Sequence, residues 1–328
     1  MSDKIVVIGS NSFSGANFMA YTLEAGFDVT GISRSPLPDP VFFPRGLNDK
    51  EVEFHQLDLN HDLDKMMSVI ESKKPEYVVN FAAQGMVAQS WEHPDHWFMT
   101  NTVSTIQLHD RLRKCNFLKK YVHVSTPEVY GSCKGRIKET TSYHPSTPYA
   151  VSRAAADMSL RTFFNSYNFP VVFTRAANVY GPGQQLYRII PRTILYIKSG
   201  KKLQLHGGGT SERSFIHIKD VSDATLRILR RASPGEIFHI ATEDSITIRG
   251  LVELICDLMG VCFEDHVEVS GERLGKDSAY SLDSQKIRTT LGWKDQVPLK
   301  EGIQAVINWV EKNLDVLKQK PFDYIHKA

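Results

Sequence analysis

The chain has 328 residues, of which 41% are hydrophobic and 23% are charged, a composition typical of a globular protein with about two domains. The formal net charge of +2 is too small to favour nucleic acid or an anionic membrane surface as a partner. There is no apolar run long enough to span a bilayer, and the first residues lack the apolar region and cleavage site of a signal peptide.

The cysteines Cys115, Cys133, Cys256 and Cys262 match neither the spacing of metal ligands nor the density of a disulfide framework. These features predict a soluble cytoplasmic protein without a metal site.

The first half of the chain alternates short apolar segments with amphipathic helical segments. Strands are predicted at residues 4–8, 28–33, 52–58, 77–81, 121–125 and 171–175, and helices at 14–25, 63–72, 96–114 and 149–167. Residues 34–48, which contain four prolines, are predicted to form a loop. Repeated β-α units of this length predict an α/β fold with a doubly wound parallel sheet of the Rossmann type.

The second half contains scattered short strands and predicted helices at residues 189–199, 220–231, 249–259 and 300–313. We therefore predict a dinucleotide-binding Rossmann domain over residues 1–177, to which the chain returns around 214–242. Residues 178–328 are predicted to form mainly a smaller C-terminal α/β substrate lobe.

A glycine-containing turn, from Gly9 to Gly15, follows the first predicted strand directly and leads into a helix. Such a turn lets the backbone approach a pyrophosphate, while the amides of the following helix face its negative charge. Ser12 replaces the usual middle glycine and has a hydroxyl that could hydrogen-bond a phosphate. An ordinary strand–turn–helix is the alternative. Further candidate cofactor contacts are Phe13, Leu59 and Ala82.

The end of the second strand contains Ser33, Arg34 and Ser35, with no carboxylate before Asp39. An acidic residue here would bind a free ribose 2′-hydroxyl, whereas a guanidinium suits a 2′-phosphate. The sequence therefore favours NADP, with NAD as the alternative; Arg34 could also be a solvated loop residue. Asp58, at the end of the third strand, is a candidate partner for the adenine amino group.

Two segments point to the chemistry. The first, residues 125–131 (STPEVYG), contains Thr126 and Glu128; the second places Tyr149 and Arg153 four residues apart on one helix face. A cation so placed could hold a nicotinamide ribose and lower the pKa of the phenol toward neutral, which would make the tyrosinate a base. A surface Tyr/Arg pair is the alternative.

With these segments in place, the chain resembles the extended short-chain dehydrogenases/reductases, and among them the nucleotide-sugar 4,6-dehydratases. The matching motifs follow the family order: the glycine turn, NFAAQ (80–84), STPEVYG (125–131), the Tyr149 segment, RAANVYGP (175–182), RSFIHIKDV (213–221) and KIRTTLGW (286–293). The resemblance implies NAD(P) as cofactor and a nucleotide-diphosphate hexose as substrate.

The resemblance also implies roles for individual residues. Tyr149 would take the proton of the sugar 4-hydroxyl as C4 is oxidised, and Thr126 would polarise the 4-ketone. Glu128 would remove the C5 proton, and water would leave from C6, which gives a 4-keto-6-deoxy sugar. Candidate substrate-binding residues by position are Gln84, Asn178, Arg188, Arg213 and Arg273.

Two residues depart from the family pattern. Pro127 stands where dTDP-glucose dehydratases have an aspartate, so Glu128 would act as both base and acid. Arg153 stands where the family has lysine, and these residues are not interchangeable. The resemblance further implies a homodimer formed through the helices at 96–114 and 149–167.

The nucleotide and hexose stay open, because different motifs lean toward the GDP-mannose and dTDP-glucose branches. A nucleotide-sugar 4-epimerase or 4-dehydrogenase is the nearest alternative function. A non-catalytic dinucleotide-binding regulator is a remote one.

Overall fold

A computed structural model describes residues 2–44, 47, 52–133, 135–271 and 281–327. At its centre is a parallel sheet of seven strands, in the order β7-β6-β5-β4-β1-β2-β3. These strands are β1 Lys4–Ile8, β2 Asp28–Ser33, β3 Glu53–Gln56, β4 Tyr77–Asn80, β5 Lys120–Val124, β6 Val171–Ala176 and β7 Ile237–Ile240. Strands β2 and β3 are added on one side of β1, and β4 to β7 are added on the other side. Doubly wound folds bind their ligands at this change of side, between β1 and β4.

Helices cover both faces of the sheet, which explains why β1 is apolar and buried from Ile5 to Ile8. The helices are α1 Phe13–Glu24, α2 Leu63–Lys73, α3 Pro94–Phe98, α4 Thr105–Leu112, α5 Pro148–Tyr167, α6 Ile189–Lys198, α7 Ile218–Arg231, α8 Ile248–Met259, α9 Phe263–His266, α10 Gln285–Leu291, α11 Leu299–Lys312 and α12 Leu314–Leu317. Helices α1 and α7 pack together, and α3 and α4 pack against α5.

Short elements build the region beyond the sheet's carboxyl edge. The strand pairs are Arg136–Ile137 with Ser281–Leu282, Asn178–Tyr180 with Phe215–His217, Leu203–His206 with Val267–Ser270, and Glu212–Arg213 with Ile246–Thr247. The 3-10 helices are Pro40–Phe42, Ala88–Trp91, Pro127–Tyr130 and Gly207–Gly209. Here α6, α8 and α11 enclose a separate apolar core that includes Ile194, Leu251 and Ile303.

The predicted Rossmann fold class is confirmed, and the predicted elements agree with the structure to within a few residues. The seventh strand, Ile237–Ile240, lies in the part of the chain that was expected to return to the sheet. The domain boundaries themselves stay a prediction. Within the described residues, no helix is both long and apolar enough to cross a membrane.

The predicted helix over residues 96–114 is helical from Pro94 to Leu112, but it is not α-helical throughout. A π-helical segment, Met99–Ser104, separates α3 from α4. Such segments are rare and often occur at functional sites, because the extra residue turns side chains in new directions. Here it presents Asn101 to the interior.

Candidate active site

The carboxyl ends of β1, β2, β4 and β5 open into a cleft of about 1350 Å³. This volume exceeds the roughly 300–1,000 Å³ of a site for one small molecule, so a dinucleotide and a second ligand have room together. The predicted site residues that line the cleft are Gly9, Ser12, Phe13, Ser33, Arg34, Asp58, Leu59, Ala82, Gln84, Thr126, Glu128, Tyr149, Arg153, Asn178, Arg188 and Arg213. Gly15 is not among the lining residues, and Arg273 lies outside the described residues.

The glycine turn brings the start of α1 close to the sheet. Gly9 has a φ of +78°, and a Cβ there would lie 2.5 Å from the amide nitrogen of Ala82. A Cβ on Gly15 would lie 2.3 Å from the Gly9 carbonyl oxygen. The Ser12 hydroxyl accepts a hydrogen bond of 3.0 Å from the Gly15 amide and so caps the helix. Both glycines are therefore required by space, and the helix N-terminus faces the cleft.

Arg34 borders the cleft just beyond β2. Its Nη2 donates to the main-chain carbonyl of Lys327 at 3.3 Å, and its own carbonyl accepts from Gln56 Nε2 at 3.2 Å. Asp58, on the neighbouring loop, accepts a hydrogen bond of 2.8 Å from the Asn60 amide. The Arg34 side chain therefore has a main-chain partner across the cleft, and Gln56 binds the Arg34 backbone.

The candidate catalytic segment, residues 125–131, contains a short 3-10 helix that Thr126 caps. The Thr126 hydroxyl donates to Glu128 Oε2 at 2.7 Å and accepts from the Glu128 amide at 3.4 Å. Pro127 occupies the first helical position and is buried. The two candidate catalytic side chains of this segment are therefore hydrogen-bonded to each other at the cleft.

Tyr149 lies in the first turn of α5. Thr147 caps this helix by accepting from the Ala150 amide at 3.1 Å, and Pro148 provides its first residue. Tyr149 lines the same cleft as Thr126 and Glu128, and it lies close enough to Glu128 to feel its charge. Tyrosine, threonine and carboxylate therefore converge in one region of the cleft.

The expectation that a neighbouring cation brings the pKa of Tyr149 down toward neutral was wrong. Burial of the ring and the charge of Glu128 raise the pKa of Tyr149, and they outweigh the opposing effects of Arg153, the Thr126 hydroxyl and Arg188. Burial has the largest effect on this pKa because the phenol is almost completely shielded from solvent.

Arg153 lies one turn after Tyr149 and is also buried. Its guanidinium donates to the Val124 carbonyl at the end of β5, and its Nη2 lies 3.4 Å from Nε2 of His123. Burial and the charges of Arg153 and Arg175 hold the pKa of His123 well below its usual value, so that the ring is neutral. Arg153 therefore contributes a positive charge between the sheet and the cleft.

The predicted substrate residues surround the cleft at different depths. Gln84 is 3% exposed, and its Nε2 donates to the Lys327 carbonyl at 2.7 Å. Arg188 precedes α6 and lies over the ring of Tyr187, and Arg213 donates to the Glu212 carbonyl. Among the side chains that the structure describes, no group of His, Cys, Asp and Glu is arranged to hold a metal ion.

Sequence reasoning missed Asp157, which lies four residues after Arg153 on α5. Asp157 accepts from the Ser125 hydroxyl at 2.8 Å and lies 2.8 Å from Arg175 Nη2. The 149–153–157 spacing on one helix face could have indicated it.

Asn101 was also missed. Its side-chain oxygen accepts from the Gln84 amide at 2.8 Å, and its Nδ2 donates to the Gln84 carbonyl and to the Ser152 hydroxyl, both at 3.0 Å. Asn101 thus joins the loop after β4 to the Tyr149 helix. Its position depends on the π-helical segment, for which the sequence offers no recognisable signal.

Comparisons with known proteins agree with this geometry. A sequence model of the GDP-mannose 4,6 dehydratase family matches residues 6–306. The human dTDP-D-glucose 4,6-dehydratase is 34% identical over 251 residues, which cover 75% of this chain and 71% of that protein.

Two solved structures share the fold over nearly the whole chain. DesIV, a dTDP-glucose 4,6-dehydratase from Streptomyces venezuelae solved with NAD bound, is 28% identical with a TM-score of 0.86 and covers 95% of this chain and 98% of its own. A UDP-glucose 4-epimerase from Thermotoga maritima solved with UDP-glucose is 27% identical with a TM-score of 0.86 and covers 95% and 99%.

Fold and cleft thus define an extended short-chain dehydrogenase/reductase. The chain belongs to the GDP-mannose 4,6 dehydratase family. The prediction that it is an enzyme of the nucleotide-sugar 4,6-dehydratase class is thereby confirmed.

Proposed function

We propose that this enzyme converts a nucleotide-diphosphate hexose to its 4-keto-6-deoxy derivative, with Thr126, Glu128 and Tyr149 as the catalytic residues. The observation that carries the proposal is the 2.7 Å hydrogen bond from Thr126 to Glu128 beside Tyr149 in a cleft large enough for two ligands. A dehydratase needs a carboxylate at this position, whereas a 4-epimerase does not.

A nicotinamide dinucleotide in the cleft would supply hydride transfer from C4 and back to C6. Tyr149, once deprotonated, takes the proton of the 4-hydroxyl, and the buried charge of Arg153 favours this phenolate. The Thr126 hydroxyl, whose one proton goes to Glu128 in this structure, would turn to donate it to the carbonyl oxygen that forms at C4. Since a ketone acidifies the adjacent C–H bond, Glu128 can then remove the proton from C5.

Glu128 also provides the acid for loss of water. Pro127 has no proton to donate, and it is buried within the 3-10 helix. If the C5 proton and the C6 hydroxyl leave from the same face, Glu128 takes the first and delivers it to the departing oxygen. One carboxyl group then acts as base and as acid, and C5 later receives a proton from solvent.

We propose NADP as the cofactor. Ser33, Arg34 and Ser35 bring a guanidinium between two hydroxyl residues to the expected position of the adenine ribose, without a carboxylate. NAD is the alternative, since relatives solved with NAD share the fold. The pyrophosphate of the cofactor would be held by Gly9, Ser12, Phe13 and Gly15. Arg153 would bind the nicotinamide ribose.

The nucleotide diphosphate of the substrate would meet Arg188 and Arg213, with Asn178 beside them and Gln84 near the sugar. Guanidinium groups suit a pyrophosphate because they donate two hydrogen bonds at once. Binding energy gained there holds the hexose against the catalytic residues. Arg273 is a further candidate from the sequence.

We propose that the enzyme is a homodimer and that it works in the cytoplasm. Members of this family dimerise through two neighbouring helical stretches. In this chain those stretches carry exposed apolar side chains, namely Val103 on the π-helical segment and Val151 and Met158 on α5. Met99, at the start of the π-helical segment, is also exposed. Covering these side chains with a second copy would remove them from water.

Mass spectrometry after incubation with GDP-, UDP-, dTDP- and CDP-hexoses tests the proposal and identifies the nucleotide. Loss of one water, with solvent deuterium at C5, is the expected result on one of these sugars. An unchanged mass with inverted C4 would instead indicate an epimerase. No reaction on any of them would contradict an enzymatic role for the cleft.

A further inference from the structure

The segment at residues 320–327 crosses the cleft after the last helix. On the side of the second lobe, Asp323 Oδ1 lies 2.9 Å from Arg192 Nη2 on α6. The ring of Tyr324 packs edge-on against Tyr187, with 5.3 Å between the ring centroids. These contacts attach the segment to the substrate-binding side.

The same segment is attached to the Rossmann side. Lys320 Nζ lies 2.7 Å from Asp39 Oδ2 in the loop after β2. The Lys327 carbonyl accepts from Gln84 Nε2 at 2.7 Å and from Arg34 Nη2 at 3.3 Å. Gln84 and Arg34 both line the cleft, so the segment ends over it.

An aromatic stack anchors the far end of the segment. The imidazole of His326 lies parallel to Trp97, with centroids 5.0 Å apart and planes at 15°. It also stacks with His93 at 5.4 Å and with His96 at 5.1 Å, and its Nε2 is 2.8 Å from Nδ1 of His96. The N-terminal part of the π-interrupted helix therefore provides a binding surface for this one side chain.

We propose that residues 320–327 form a strap that covers the dinucleotide site and retains the cofactor between turnovers. The inference rests on the proposed function, since it needs a dinucleotide in the cleft. The strap lines the same cleft as the glycine turn and the catalytic residues, and it bridges both sides of the opening. A cofactor that leaves past Arg34 and Gln84 must first displace the Lys327 carbonyl.

Retention of the cofactor is consistent with the chemistry of the nucleotide-sugar 4,6-dehydratases. Because the dinucleotide returns to its starting oxidation state in each cycle, it has no need to leave. Only the nucleotide sugar must enter and leave. Slow release of the cofactor therefore does not by itself slow turnover.

The rate of cofactor release tests the strap directly. The full-length protein is loaded with NADPH or NADH, and the loss of its fluorescence is followed after an excess of the oxidised form is added. H326A removes the aromatic stack and should release the cofactor about fivefold faster. D323A, which removes the contact with Arg192, should also speed release, whereas H326F should stay near the unaltered protein because it can still stack.

K318A is the matched control, since Lys318 is exposed and lies just before the strap. Its release rate should equal that of the unaltered protein. Equal release from H326A, D323A and K318A would overturn the strap while leaving the proposed function intact. Tighter binding in H326A would also overturn it, because the segment would then obstruct the site. If neither dinucleotide binds the unaltered protein, the proposed function fails as well.

Discussion

Asp157 and Arg175 form an ion pair in the interior of the protein, with Asp157 Oδ2 2.8 Å from Arg175 Nη2 and both side chains inaccessible to solvent. The same carboxylate oxygen accepts from the Ser125 hydroxyl at 2.8 Å, while Arg175 Nη1 donates to the phenol oxygen of Tyr130. The pair is therefore connected to both ends of the candidate catalytic segment, residues 125–131. It ties that segment to α5, which presents Tyr149.

The variant D157N should be strongly destabilised. It leaves the Arg175 guanidinium buried without a countercharge, and breaking such a pair costs roughly 3–5 kcal/mol. Chemical denaturation measures the change. The control is E253Q, which disrupts the exposed Arg249–Glu253 pair and should cost about 0.5 kcal/mol or less. Equal denaturation midpoints for the two variants would contradict a structural role for the buried pair.

The variant E128Q should oxidise C4 but fail to lose water. The amide is nearly the same size as the carboxylate but cannot accept the C5 proton, and no acid at position 127 can substitute for it. Absorbance of the reduced nicotinamide reports the first step, and mass spectrometry reports the second. Normal dehydration by E128Q would rule out the double role of Glu128.

The variant R153M should shift the pH dependence of C4 oxidation to higher pH. The Arg153 charge lowers the pKa of Tyr149, so its loss leaves burial and Glu128 to raise that pKa further. Oxidation needs the phenolate and therefore rises with pH. A pH–rate profile of the oxidation step measures the shift, and R153K, which keeps a cation, should restore most of the original profile. An unshifted profile in R153M would show that Arg153 does not act on Tyr149.

The variant R34A should weaken binding of NADP about tenfold more than it weakens binding of NAD, because only NADP carries the phosphate that the guanidinium would bind. Titration calorimetry with each cofactor measures both. NAD serves as an internal control: since Arg34 also donates to Lys327, any loosening of the strap would affect both cofactors equally. An equal loss for both would contradict a phosphate contact of Arg34 and would assign the whole effect to the lost contact with Lys327.

Cofactor release should become faster below about pH 6.5, the usual pKa of a histidine. Burial, and then the charges of His96 and His93, lower the pKa of His326 in the closed strap. The open strap therefore binds the proton more readily, so closure is fully favoured above the usual pKa and is lost as the pH falls below it.

The charged and titratable groups around this ring are His93, His96, Asp95, Glu92, Arg34 and Tyr324. Release measured at about pH 7.5 and about pH 5.5 checks the prediction, and H326F should remove most of the difference. A difference that persists in H326F would assign the effect to another of these groups.

Local sequence determined the elements of this protein and much of the candidate site. The segment from Lys4 to Gly15 is an apolar strand, a turn and a capped helix, and the helix cap and the contact between Gly9 and Gly15 depend on neighbouring residues. The same holds for Thr126 with Glu128, which are two residues apart, and for Tyr149 with Arg153, which share a helix face. Such features are visible in sequence because their partners are close along the chain.

Only the tertiary structure decided which residues link these local elements to one another. Asp157 meets Ser125 and Arg175 from three separate elements, and Lys327 meets Arg34 and Gln84 from the other end of the chain. No periodicity relates such distant residues, since the folded sheet brings them together. Burial is likewise a property of the whole fold, which is why the direction of the Tyr149 pKa shift could not be predicted from its helical neighbour alone.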